Sequence, residues 1–153
     1  MNLLALLFLL AAGPTLEFSG RVVEIVDGDT IGVLHEGRAV RLRLYGIDAP
    51  ERRQAYGRVA QNYLGELIFQ QTVRVAVRDH DRYGRQVAEV YLNGKSVNQE
   101  MVRAGLASWF RRYAPRDTVL RDLEEQAREA GRGLWADPDA TAPWNFRRPP
   151  PPN

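Results

Sequence analysis

A chain of 153 residues with 44% hydrophobic and 26% charged side chains has the ordinary mixture of one globular domain, long enough to bury a core. Its formal charge is +2 and its sequence pI 9.2, and all but one of the 21 basic residues are arginine, Lys95 being the exception. Arginine offers planar bidentate donors that suit phosphate, although a genome-wide arginine preference gives the same composition. The absence of cysteine excludes thiol catalysis, disulfides and cysteine-ligated zinc.

In chain order, the apolar run from Leu3 to Ala12 is shorter than the ~20 residues of a spanning helix and reads as a signal peptide. No Lys or Arg precedes it and Pro14 follows the small residues Ala11, Ala12 and Gly13, so an uncleaved interfacial anchor is the alternative. The expected division is a leader over 1–13, a domain over 14–136 and a proline-rich tail over 137–153, in a secreted or periplasmic protein.

From Phe18 the pattern turns to strands: R-V-V-E-I-V, then T-I-G-V-L after D-G-D, then H-E-G-R as a turn into Ala39–Tyr45. These predict three antiparallel strands in meander order. Gln54 to Phe69 shifts to helical spacing, with Tyr56, Val59, Ala60, Tyr63, Leu64, Leu67 and Ile68 on one face. Val73, Val75 and Val77 mark a fourth strand, and Gln86 to Leu92 a fifth before a turn at Asn93 and Gly94. Ser96 and Gln99 read as a capping box opening a short helix that Gly105 closes, and a last helix runs from about Asp117 to Ala130. Five strands with a helix after the third predict an α+β fold built on a small closed β-barrel of the OB type. In the tail, prolines predict an extended polyproline path rather than a helix, with Trp144 and Phe146 pinning it to the domain. A peptide ligand for a partner protein is the sharper alternative for the tail.

The stretch that carries chemistry is R-L-R-L-Y-G-I-D-A-P-E, Arg41 to Glu51. Val40, Leu42 and Leu44 alternate with Arg41, Arg43 and Tyr45, which aims Arg43 at solvent or a ligand. Gly46 ends the alternation, Asp48 follows the strand, and Pro50 fixes the loop that presents Glu51. Taken alone, solvated arginines before an ordinary D-A-P-E turn explain this stretch equally well. Asp27 in D-G-D-T reads as a turn cap, whereas Asp29 opens the second strand where the third ends, so that Asp29 and Asp48 can meet. Two hard oxygen ligands with a carbonyl and waters describe a calcium or magnesium site. Arg85, in D-R-Y-G-R, heads the fifth strand and is either a second phosphate ligand or a solvated turn arginine.

Together, I-V-D-G-D-T, R-L-Y-G-I-D-A-P-E, D-R-Y-G-R, L-N-G-K-S-V-N and G-L-A followed by Tyr113 resemble, in order and spacing, the staphylococcal nuclease (thermonuclease) family over roughly Phe18 to Trp135. The resemblance implies a five-stranded OB-fold barrel with three α-helices and a calcium-dependent nuclease that cuts DNA and RNA to 3′-phosphate products. Carried over by position, it implies metal ligation by Asp29, Asp48 and the Ala49 carbonyl, and catalysis by Glu51, Arg43 and Arg85. Tyr83 and Tyr113 would contact the nucleotide. The implied partner is nucleic acid, single-stranded or locally open, with no obligate protein partner and a monomeric chain. Two departures from the family's type enzyme stand out: the loop after Pro50-Glu51 is short, and Arg111 takes the place of a stacking tyrosine. A non-catalytic OB module that binds single-stranded nucleic acid is the alternative function, but it needs no clustered carboxylates facing a polyanion.

Overall fold

The computed structural model describes residues 16–147. The predicted leader and the residues from 148 onward lie outside the described residues. Strands β1 (Glu17–Asp27), β2 (Thr30–His35) and β3 (Arg38–Leu44) form the expected antiparallel meander. After a two-residue strand β4 (Ile47–Asp48) and helix α1 (Gly57–Ile68), β5 (Thr72–His80) pairs with the first half of β1, and β6 (Gln86–Leu92) with β5. The sheet closes through a parallel pairing of β3 with β6, from Leu42 opposite Gln86 to Leu44 opposite Ala88. That closure makes a five-stranded mixed barrel of the OB type.

β1 is longer than the predicted run because it serves both halves of the barrel, pairing with β5 up to Arg21 and with β2 from Arg21 onward, with irregularities of register after Val22 and Ile25 that let it bend. The alternating aliphatic residues fill the interior: Val22, Ile31, Val33, Leu42, Val75 and Val90 are fully buried. Each contributes about 1.5–3 kcal/mol by leaving water. Buried Asn98 fastens the seam, accepting from Val90 N–H at 3.0 Å and donating to the carbonyls of Tyr45 at 3.0 Å and Ala88 at 3.2 Å.

The helices begin and end where local chemistry directs. Strand β7 (Lys95–Ser96) leads into α2 (Val97–Arg103), whose N-cap Ser96 accepts from Gln99 N–H at 3.2 Å, and Gly105 follows it at φ +71°. Strand β8 (Ser108–Trp109) pairs antiparallel with β4. Helix α3 (Thr118–Glu129) is capped by Asp117, which accepts from Leu120 N–H at 2.9 Å. Helix α1 starts later than its apolar spacing predicts, because residues 54–56 form turns and Tyr56 takes φ +66°.

After a 3-10 turn at Gly133–Ala136, the tail departs from the predicted extended path. Pro143–Phe146 form a single helical turn, α4. Proline is tolerated there because it occupies the start of the turn, where its missing N–H has no intrahelical partner to lose. Trp144 stacks on Phe110 with centroids 5.5 Å apart and rings 12° from parallel, whereas Phe146 stays exposed.

Candidate active site

Four short segments bring the polar residues together. The Asp27-Gly28-Asp29 turn between β1 and β2 is held by Asp27, whose Oδ1 accepts from Asp29 N–H at 3.0 Å. This is the turn-capping role the sequence predicts. The Asp29 carbonyl accepts from Leu44 N–H at 2.8 Å, which sets the head of β2 against the end of β3. Gly46, at φ +75°, then turns the chain into β4, where Asp48 stands opposite Ser108 of β8.

The result is an acid pair around one guanidinium. Arg43 Nη2 donates to Asp48 Oδ1 at 2.8 Å and lies 3.3 Å from Asp29 Oδ2. Asp29 is 3% exposed and Asp48 0%. Asp29 also accepts from Ala49 N–H at 2.7 Å and from Thr30 Oγ1 at 3.0 Å. Arg43 therefore faces carboxylates, not solvent. Burial drives the Asp27 carboxyl up to about 7, with the neighbouring charge of Asp29 adding to it. Burial also pushes Asp48 up, against the hydrogen bond from Arg147 and the charge of Arg43.

Glu51 belongs to the same cluster. Its loop is a tight turn in which Gln54 N–H donates to the Glu51 carbonyl at 2.8 Å and the Glu51 N–H donates to Gln54 Oε1 at 3.2 Å. Gly57 permits the close return of the chain, since a Cβ there would lie 1.9 Å from the Glu51 carbonyl oxygen. Arg147, from the C-terminal segment, donates through Nη1 to Glu51 Oε1 at 2.6 Å and through Nη2 to Asp48 Oδ2.

The structure thus joins Asp29, Arg43, Asp48 and the Ala49 N–H by direct contacts, and Glu51 reaches them through Arg147, which bridges it to Asp48. Arg85 is placed differently: its Nε donates to Asp81 Oδ2 at 2.6 Å, within the turn between β5 and β6. The parallel pairing sets Val87 opposite Arg43, and Arg85 lies two positions earlier in the chain, just before β6 begins. Tyr83, 70% exposed, sits at the tip of that turn, and Tyr113, 61% exposed, packs edge-on against Phe110 with centroids 4.9 Å apart. Tyr113 borders a groove of about 600 Å³ lined also by Tyr45, Arg78, Asp79, Glu89 and Arg116. The acid cluster is not part of its lining. Arg111 lies over the Trp109 ring, 5.3 Å from its centroid. Sequence reasoning missed Gln54 and Arg147; Gln54 has a weak signal as a polar residue three positions after Glu51, and Arg147 none, because its partners lie 96 and 99 positions away.

This donor set fits a hard cation. Asp29 and Asp48 offer carboxylate oxygens in a buried, converging pair, with no imidazole or thiolate in contact. Among the described residues no group of three or more His, Cys, Asp or Glu is arranged to hold a metal.

Comparison with known proteins now adds to this geometry. The sequence profile described as staphylococcal nuclease homologue matches residues 41–137. The chain belongs to the staphylococcal nuclease family. An Escherichia coli O157:H7 protein named uncharacterized endonuclease is 46% identical over 132 residues, covering 86% of each chain. Protein ParB of Escherichia coli is 43% identical over 156 residues, covering 94% of this chain and 88% of its own. A micrococcal nuclease of Shigella flexneri is 42% identical over 142 residues, covering 86% and 82% respectively. The family match spans Arg43, Asp48, Glu51 and Arg85 together with Tyr83 and Tyr113; Asp29 precedes it.

Proposed function

We propose that this protein is a nuclease that hydrolyses phosphodiester bonds in DNA and RNA with calcium, leaving 3′-phosphate ends. The observation that carries the reading is the convergence of buried Asp29 and Asp48 on a single nitrogen of Arg43, with Glu51 tied to Asp48 through Arg147. Buried acids of this kind are costly to maintain for structure alone and are suited to metal-assisted chemistry on a phosphate. Family membership and relatives bearing nuclease names support it.

Asp29 and Asp48, with the Ala49 carbonyl, would hold the calcium, which supplies a Lewis acid for charge building on the phosphoryl oxygens. Glu51 orients the attacking water or takes its proton. Arg43 exchanges a carboxylate for a phosphoryl oxygen, and Arg85 leaves Asp81 to grip the phosphate from the side of β6. The water oxygen bonds to phosphorus as the P–O5′ bond breaks, giving a 3′-phosphate and a 5′-hydroxyl. Exposed Tyr83 and Tyr113 offer ring faces for nucleotide stacking, which favours single-stranded or open segments. The protein acts as a monomer without an obligate partner and is exported through its leader to the periplasm or medium.

A non-catalytic binder has no use for Glu51 and the buried acids in a surface meant for a polyanion. The test is incubation of the full chain with end-labelled DNA and RNA, with calcium, followed by end-group analysis of the products. Fragments ending in 3′-phosphate are expected; stable binding of both substrates without any cleavage would overturn the reading.

A further inference from the structure

We propose that the C-terminal segment is a strap whose Arg147 competes with a divalent cation for Asp48, so that cation binding and strap docking exclude one another. The inference rests on the calcium reading above.

Both oxygens of Asp48 are engaged by guanidinium groups, Oδ1 by Arg43 at 2.8 Å and Oδ2 by Arg147. The fork of Arg147 also reaches Glu51 Oε1 at 2.6 Å. One planar cation therefore spans the acid assigned to the metal and the acid assigned to the water. A second cation arriving at Asp48 meets that charge and an oxygen already taken. Arg43 comes from the barrel wall with its side chain 19% exposed, whereas Arg147 comes from a separate segment and its side chain is 38% exposed. Arg147 is thus the partner that yields.

Three further contacts show that the strap is docked at this place. The Thr141 carbonyl accepts from Gln54 Nε2 at 2.7 Å, Pro143 is buried, and Trp144 stacks on Phe110. Gln54 is the residue that closes the Glu51 turn, so the strap is tied to the loop whose acid it covers. A charge-assisted but partly solvated pair holds in the cation-free protein and gives way to a divalent ion. A change that loosens the strap raises the cation-competent fraction, and apparent cation affinity tightens in proportion to that fraction.

The test is calorimetric titration of calcium chloride into the full chain and its Arg147→Ala and Trp144→Ala variants, without nucleic acid, with folding checked by thermal melts. Both variants are expected to bind calcium roughly three- to tenfold more tightly than the parent, as removal of a competing closed state requires. Trp144→Ala is decisive, because it loosens the strap without changing charge, and it stands alone if Arg147→Ala does not fold. Tightening in Arg147→Ala with no change in Trp144→Ala would reduce the effect to loss of a nearby charge and overturn the strap. Equal or weaker binding in both would also overturn it while leaving the calcium site standing. No calcium binding in any of the three would refute the calcium reading itself, and the strap with it.

Discussion

Arg43 donates to Asp48 across 2.8 Å, and the same nitrogen lies 3.3 Å from Asp29. Its removal leaves buried Asp29 without a guanidinium partner and buried Asp48 with Arg147 alone. Arg43→Ala should therefore destabilise the cation-free protein by about 3–5 kcal/mol, the scale for breaking a buried ion pair. Added calcium should raise its melting temperature more than that of the parent. Arg43→Lys keeps the charge but loses the planar fork, and turnover should fall about tenfold or more. Thermal melts with and without calcium, and single-turnover cleavage, check these outcomes.

Glu51 separates chemistry from docking, because an acid cannot attract a polyanion. Glu51→Gln should bind a single-stranded oligonucleotide at least as well as the parent, while cleavage falls by roughly 10²-fold, the lower range for general base catalysis. Unchanged single-turnover cleavage in the folded variant would remove Glu51 from the mechanism.

Asp81 organises the turn that carries Tyr83 and Arg85. Burial acts to raise its pKa, but hydrogen bonds from the Arg85 side chain and from the backbone N–H groups of Arg85 and Tyr83 outweigh it and hold the carboxyl below its usual range. A depressed native pKa contributes stability that is complete above the unfolded value of about 3.9 and is lost as pH falls through the lower native value. Asp81→Asn should cost roughly 1–3 kcal/mol at neutral pH, the scale for hydrogen bonds to a charged group. The gap between parent and variant should close in acid. Denaturant titrations across pH would show it, and a gap that persists unchanged at acid pH would contradict the assignment.

The barrel was legible because its strands alternate apolar and polar residues, and because Asn93-Gly94, Ser96 and Asp117 carry turn and cap chemistry in their own side chains. Strands β4 and β8, of two residues each, were not: no periodicity exists over two positions, and their pairing comes from Gly46 turning Asp48 toward Ser108. The meeting of Asp29 with Asp48 followed from strand adjacency alone. The C-terminal segment is not extended over Pro143–Phe146 as its proline-rich composition suggests, because Pro143 suits the first position of a helical turn. Arg147 had no local signal, since its position depends on how Trp144 and Thr141 dock.

Gly57 links the fold to the proposed chemistry. A Cβ at this position would meet the Glu51 carbonyl oxygen at 1.9 Å and the Arg52 Cα at 2.9 Å, backbone atoms that cannot rotate away. Gly57→Ala should cost about 1–3 kcal/mol and shift the Glu51 loop, lowering cleavage even well below the melting temperature. Gly65→Ala is the control: within α1, its Cβ would find only Ile25 Cγ1 at 3.8 Å, and it should stabilise the helix by roughly 0.5–1 kcal/mol. Melts and cleavage rates of the two variants decide the matter.

Calcium dependence through the acid pair is the central claim, and a calcium titration of oligonucleotide cleavage tests it most directly, run on the parent and on Asp48→Asn with a chelator arm for each. The parent should cleave in calcium, lose that activity in excess chelator and regain it when calcium is restored. Asp48→Asn should need roughly tenfold more calcium or more, the order expected when one of two carboxylate ligands is neutralised. Full cleavage by the parent in excess chelator would contradict the account.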